Sequence, residues 1–299
     1  MILSKILSEM KIDFFCKDEK KVDSLGLAGY NKGDNVCTFI ENEKYIDEIT
    51  SNVAMILTNN NVAKYLEDKD VSFGVCIVDN PRITYFIIHN FLSNSSEYTR
   101  EKFETKIGEN CNISDSAVIS PQNVVIGNNV TIEEFVVIRD NTYIGDNSIV
   151  RAGCKIGGEG FEFKNTTKEV FRVNHIGGVV IGSNVEVQYN TCIDKAIYPW
   201  DDTVIEDYVK IDNLVHIGHA VKIKPRTMIV ANSGIGGRVK IGEDSWIGFG
   251  ATLRNGIEIG NNARTNMGAV VTRSVGDNEA VTGNFAIEHK KFIENLKRY

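Results

Sequence analysis

The stretch whose reading decides the fold runs from Ile205 to Val271: IEDYVK IDNLVH IGHAVK IKPRTM IVANSG IGGRVK IGEDSW IGFGAT LRNGIE IGNNAR TNMGAV V. An aliphatic residue opens almost every group of six, at Ile205, Ile211, Ile217, Ile223, Ile229, Ile235, Ile241, Ile247, Leu253 and Ile259. Four places on sits a small or β-branched residue, as at Val209, Val215, Val221, Thr227, Ser233, Val239, Ser245 and Ala251. A helix needs apolar recurrence every 3.6 residues or so and a lone strand every 2 or so, roughly, and neither accounts for a sustained six. Short strands wound around a prism do, one hexad to a side, which makes a parallel β-helix. His216 and His219 stand apart in this pattern, because a scaffold has no use for imidazoles on its outer surface.

Working outward, hexads begin at Ile107, Ile113 and Ile119, slip by one residue, and resume at Ile126, Ile132, Ile138, Ile144, Val150 and Ile156. They break at Gly157 to Val180 and restart at Ile181, Val187 and Ile193. The phase survives through Pro199, so IYPWDD (residues 197–202) is expected to be a bent or bulged hexad. The interruption holds GGEGFEF (Gly157 to Phe163) and His175. A loop that leaves a repetitive scaffold is where function is placed, with a tolerated insertion as the alternative. Beyond Val271 the repeat dissolves, and the last dozen residues suit a basic amphipathic helix capping the open strand edges.

Upstream, residues 1–94 read as a separate α/β domain. Ile2, Leu3, Ile6, Leu7 and Met10 make one helix face, and Val36 to Ile40, Val53 to Thr58 and Val75 to Val78 are strand-like. Asn59 to Asn61 punctuate a turn, and Pro81 can open a helix through Ile83 to Phe91. The expected organisation is an α/β domain over 1–94, a mainly β solenoid over 95–275 with an inserted loop at 157–180, and a tail with a short helix over 276–299.

A hydrophobic share of 42% in 299 residues is ordinary for a folded protein. A net charge of −7 argues against a general nucleic-acid or anionic-membrane binder. No apolar run approaches a membrane span, and the start lacks the long apolar region of a signal peptide. Cys16, Cys37, Cys76, Cys111, Cys154 and Cys192 have no paired C-x-x-C spacing, so reduced thiols in a cytoplasmic protein are expected.

Neutral imidazole titrates near neutrality, so His219 is a candidate to take a proton from an attacking amine or hydroxyl. A solvated surface histidine is the plain alternative. His216 is a candidate substrate contact, and His89, His175 and His289 read as structural.

Four motifs carry a resemblance: Asp212-Asn213-Leu214-Val215-His216-Ile217-Gly218-His219, GGEGFEF, Thr191-Cys192-Ile193-Asp194-Lys195, and the triplet Phe39, Asn42 and Tyr45 in F-x-x-N-x-x-Y spacing. Together they resemble the hexapeptide-repeat acyltransferases, and within them the UDP-3-O-acylglucosamine N-acyltransferase family of lipid A synthesis. The resemblance implies a left-handed β-helix with three hexads per coil, a homotrimer with shared sites, and His219 as general base. It implies a backbone oxyanion donor one coil later, at Gly237. Gly158, Glu159, Gly160, Phe161 and Phe163 become a substrate loop, with Asp194 and His216 beside it. Phe39, Asn42 and Tyr45 become a sandwich for the nucleotide base. With three hexads per coil, Asp212 is expected over Asp194 and Asn213 over Lys195, and Asp212 or Asn213 is expected to orient His219. Gly248, Gly250 and Arg273 are candidates to line the donor groove.

The family's second active-site histidine is replaced near Gly256, the C-terminal region is short, and EAVTGNFAIEHKKF (residues 279–292) is closer to nucleotide-sugar acyltransferases that draw on coenzyme A. The expected activity is therefore N-acylation of a dTDP- or UDP-linked amino-deoxy sugar for surface polysaccharide, with acyl-CoA as donor and no tightly bound cofactor or metal. The alternative is UDP-3-O-acylglucosamine N-acylation with acyl carrier protein as donor. A zinc site like that of γ-carbonic anhydrases needs three imidazoles where His216 and His219 offer two. A solenoid that only binds leaves the triplet and the loop unexplained.

Overall fold

The computed structural model describes residues 1–29, 33–283, 286 and 288–297, and the chain divides into two compact units. One comprises Met1–Lys102, Glu159–Gly177 and Ala196–Asp202; the other comprises Phe103–Gly158, Gly178–Lys195 and Thr203–Tyr299. The boundary thus falls later than the expected 94, and the interruption of the hexads belongs to the first unit.

In the first unit, strands β1 (Phe15–Lys17), β2 (Ser24–Leu25), β3 (Val36–Ile40), β4 (Val53–Thr58) and β5 (Gly74–Ile77) form one sheet in the order β1-β5-β4-β3-β2. Only the β1–β5 pair is antiparallel. β4 is buried at every position, as an unbroken apolar run in a parallel sheet covered on both faces should be. Helices α1 (Leu3–Glu9), α2 (Asn60–Tyr65) and α3 (Pro81–Leu92) accompany it. The expected turn at Asn59 to Asn61 is the start of α2, because the Asn59 side chain accepts the Val62 N–H as an N-cap. Asn80 caps α3 in the same way, with Pro81 at its first position. The core joins Leu3, Leu7, Met55, Leu57, Tyr85 and Ile88 to Val173 and Tyr198, so the interruption supplies part of this core and is more than a surface loop. Within it, Phe163–Asn165 and Val170–Arg172 pair as a hairpin.

One expectation about cysteines is corrected here. Cys16 and Cys76 face each other across β1 and β5 and are joined as a disulfide. Their sequence separation of 60 hid the pairing from a reading based on short spacings. Cys37, Cys111, Cys154 and Cys192 are free thiols.

The second unit is the three-sided parallel solenoid. Among the described residues, nine strands make one face, from Asn112–Ile113 to Ala280–Val281. Eight make the second, from Val118–Ile119 to Val270–Val271, and eight the third, from Lys106–Ile107 to Glu258–Ile259. Lys210, Met228, Trp246 and Arg264 stack in register on one face, and His216, Gly234, Thr252 and Val270 on the next. Three hexads therefore make a coil. The aliphatic columns fill the bore as one continuous core. Polar members of the small column are satisfied inside it: Thr227, Ser233 and Ser245 donate to the carbonyls of Gly242, Gly248 and Gly260 in the following coil.

Two expectations about the solenoid are corrected. The stretch read as a bulged hexad is an excursion, since Ala196–Asp202 leaves with the first unit and Cys192 pairs with His216, one hexad beyond a normal coil. A detour of six residues leaves the inward and outward phase untouched, so periodicity alone does not reveal it. Asp194 consequently falls in register with Gly218 and not with Asp212. The repeat also persists past Val271: Val275 bridges Ile259, and Ala280–Val281 pairs with Arg264–Thr265. The expected C-terminal helix forms as α4 (His289–Leu296), with residues 298 and 299 outside the described ones.

Candidate active site

His219 follows the strand His216–Ile217, where the chain turns a corner of the prism. Its carbonyl accepts the Arg238 N–H from the next coil at 2.8 Å. The imidazole fills the space that a side chain at 237 would need: a Cβ there would lie 2.6 Å from Nε2 and 2.8 Å from Cε1. Glycine at 237 is what lets the ring lie against the neighbouring coil.

At the third place of some hexads the N–H is capped by Asp or Asn of the next coil: Asn128 by Asp146 at 2.7 Å, Ser183 by Asp207 at 2.8 Å, Glu243 by Asn261 at 3.0 Å and Asn261 by Asp277 at 2.7 Å. Gly237 belongs with Phe249 and Asn255, whose N–H groups have no such cap. Among the described residues, nothing accepts the Gly237 N–H. An imidazole beside an uncommitted backbone donor is suited to removing a proton from a nucleophile while a developing oxyanion is held.

His216 points outward, and its Nε2 lies 3.7 Å from Asp194 Oδ2. Asp194 is nearly buried, at 8% exposure. That burial raises its carboxyl above the ordinary range, and the neighbouring His216 opposes the rise. Gly158 pairs in register with Asp194, so these three of the expected site residues are gathered on one face. The excursion at 196–202 produces this meeting by bringing the coil of His216 onto that of Asp194.

Asp212 and Asn213 do not fill the orienting role expected of them. Asp212 accepts the N–H groups of Asn213 and Ala231 at 2.7 and 3.1 Å, and Asn213 accepts that of Tyr189 at 3.1 Å. Both side chains brace a corner whose backbone donors would otherwise be unsatisfied, and among the described residues neither contacts His219.

In the loop, Glu159 pairs with Arg172 at 2.7 Å, Gly160 is buried, and Phe161 is 91% exposed with its ring 4.8 Å from that of Phe163. An aromatic side chain held open in this way has area to offer a ligand. Lys195, not singled out in the sequence, is nearly buried and pairs with Asp140 at 3.0 Å. Its signal was present as the last residue of the Thr191–Lys195 motif.

Phe39, Asn42 and Tyr45 lie at the end of β3 and in the 3-10 turn that follows. Phe39 packs 5.0 Å from Tyr85, Asn42 caps the turn by accepting the Lys44 N–H, and Tyr45 is exposed with the Lys44 ammonium 4.8 Å over its ring. The donor candidates are less specific. A Cβ on Gly248 would fall 2.7 Å from the Thr265 carbonyl oxygen, Gly250 has φ of +65°, and Arg273 is exposed. Both glycines thus have local conformational reasons. His89 and His175 are buried; His89 meets the Tyr98 hydroxyl at 3.0 Å and the Asn174 carbonyl at 2.8 Å.

The family described as bacterial transferase hexapeptide (six repeats) matches residues 123–158, 202–237 and 238–273. The matched segments lie in the solenoid. The chain is 36% identical over 145 residues to the UDP-3-O-acylglucosamine N-acyltransferase of Delftia acidovorans, covering 48% of this chain and 43% of that one. It is 48% identical over 95 residues to that of Rickettsia akari, covering 32% and 27%. The chain spans less than half the length of these curated relatives. Among solved structures it is similar to UDP-N-acetylglucosamine acyltransferases from Campylobacter jejuni and Arabidopsis. The TM-score is 0.54 for both, at 20% and 24% identity, covering 65% of this chain and 78% and 67% of theirs. At that identity the likeness speaks for the fold. No helix of the described residues is long and apolar enough to cross a membrane.

Proposed function

We propose that this protein is an N-acyltransferase acting on a nucleotide-linked amino sugar, with His219 as general base and the Gly237 N–H as oxyanion donor. The observation that carries the reading is the imidazole lying against Gly237, whose N–H has no acceptor among the described residues. The sugar amine attacks the carbonyl carbon of an acyl thioester and gives its proton to His219. The oxyanion of the tetrahedral intermediate is held by Gly237, the C–S bond breaks, and the proton returns to the departing sulfur. Phe39, Asn42 and Tyr45 take the nucleotide base, and Phe161 and Phe163 lie against the substrate. The active species is a homotrimer.

The names of the relatives favour a UDP-linked 3-O-acylglucosamine acceptor, the reading that sequence departures had placed second. The acyl-CoA reading keeps one supporting observation: at 256, where those departures place the family's second histidine, the chain has glycine with φ of +74° and open space around it. Assaying UDP-3-O-acylglucosamine with long-chain acyl carrier protein, against UDP- and dTDP-amino-deoxy sugars with short acyl-CoA, separates the two. Turnover with neither set, in a folded trimer, overturns the acyltransferase reading.

A further inference from the structure

The corner that carries His219 is held differently from its neighbours. Between Tyr208 and Gly268 every other corner residue with positive φ donates its N–H to a backbone carbonyl of the preceding coil, as Arg226 does to Asp207 at 3.1 Å, Arg238 to His219 at 2.8 Å and Gly256 to Gly237 at 3.0 Å. Ala220, the residue after His219, has φ of +58° and donates to a side chain instead, Thr203 Oγ1 at 2.8 Å. The carbonyl that the regular spacing would offer belongs to Asp201, inside the excursion, where it accepts from Arg100 at 2.9 Å. Thr203 therefore fills a place that the excursion leaves open in the backbone ladder.

Thr203 is fully buried, and its one proton has a defined direction. An N–H can only donate, so the hydroxyl accepts from Ala220 and gives its own proton to the Asp194 carbonyl at 2.6 Å. Thr227, Ser233 and Ser245 stand in the same inward column and donate forward, to the coil that follows, whereas Thr203 donates back toward Asp194. The other half of the peptide joining His219 to Ala220 is also occupied, because the His219 carbonyl accepts the Arg238 N–H. With its oxygen and its hydrogen both held, that peptide keeps one orientation, and so does the bond from the His219 Cα toward its imidazole. A valine would fill the space of Thr203, so packing alone does not call for a hydroxyl there.

We infer that Thr203 is a positioning residue for His219: its hydroxyl fixes the peptide that follows the imidazole, and with it the angle at which the ring lies against Gly237. The inference rests on the acyltransferase reading for what His219 does. Being fully buried, Thr203 meets no substrate and acts through the backbone alone. Misplacing a reacting group by about 1 Å costs about 10²-fold in rate, so a small rotation of this peptide is enough to matter.

The experiment compares the wild-type chain with Thr203→Val, Thr203→Ser and Thr203→Ala. It measures kcat and KM with whichever of the two substrate sets turns over, the melting temperature, and hydrogen exchange resolved to the Ala220 amide. Thr203→Val should lower kcat about tenfold or more with the nucleotide-sugar KM near normal, and should open the Ala220 amide to exchange. Thr203→Ser should keep both kcat and amide protection, even though losing a buried methyl lowers its melting temperature. If valine prevents folding, serine against alanine, which differ by the hydroxyl alone, carries the same comparison. Near-normal kcat in the valine and alanine chains, or a serine chain as slow as they are, overturns the positioning role. Turnover with neither set marks failure of the acyltransferase reading. The Ala220 amide then decides alone, and unchanged protection in the valine and alanine chains overturns the contact.

Discussion

At His219 the decisive change is removal of the ring. His219→Ala should lower kcat by about 10²–10⁴ with the melting temperature unchanged, as loss of a general base does; near-normal turnover would remove it from the mechanism. Gly237→Ala tests the same contact from the other side. A methyl group 2.6 Å from Nε2 must displace the imidazole, so kcat should fall by about 10² while the nucleotide-sugar KM stays close to normal. Asp194 gives a stability prediction with a defined sign. Burial raises its carboxyl, so the folded chain holds this proton to higher pH than the unfolded chain. Its contribution to stability is greatest below the ordinary carboxylate range and declines as pH rises through the folded value. Asp194→Asn should therefore be at least as stable as the wild type at pH 7, with no difference at acid pH, while binding acceptor less well. A buried carboxylate whose charge costs stability is better explained by ligand recognition than by packing.

Among the elements, α3 and the interrupting segment depend on each other through His89, whose ring contacts Tyr98 and the Asn174 carbonyl. Burial lowers its pKa to about 4, against the ordinary 6.5. The folded state stays neutral where the unfolded state is protonated, so stability falls as pH drops from 6.5 toward 4, by about 3 kcal/mol. Urea midpoints at pH 7.5 and 4.5 check this, and His89→Gln should flatten the difference. The same elements mark what was legible beforehand. α1, β3 and β4 were readable because their apolar spacing is local, and the solenoid because its period repeats many times. The interrupting segment was readable as a break but not as core, and the excursion not at all, since Val173 in the one and Tyr198 in the other acquire partners only through contacts distant in sequence. His219 beside Gly237 followed from stacking. The pairing of Asp194 with His216, and the use of Asp212 and Asn213 as corner braces, required knowing how many residues each coil contains.

For the whole molecule, the two units differ in what holds them. The first combines a small sheet with the Cys16–Cys76 bond, and the second relies on a continuous aliphatic bore and buried hydroxyls. Cys16→Ser should destabilise by about 2–4 kcal/mol, since the bond closes a long loop. Reductant should mimic the substitution and leave the Cys16→Ser chain unaffected. Proteolysis under these conditions should cut the first unit before the solenoid, and cleavage in the reverse order would refute this division of stability.

The excursion at Ala196–Asp202 has a consequence for how such a chain can be enlarged or grafted. Because it inserts a whole hexad, every residue after it keeps its sense, inward or outward. The other two departures show that a whole hexad is not required: Ile119 and Ile126 lie seven positions apart and Ile156 and Ile181 twenty-five, yet Ile126, Ile156 and Ile181 all lie in the bore. What a corner must preserve is the inward side chain of the strand that follows, so an added loop of any length that re-enters in register should leave the bore intact. Such a chain can acquire new loops without relearning how to fold.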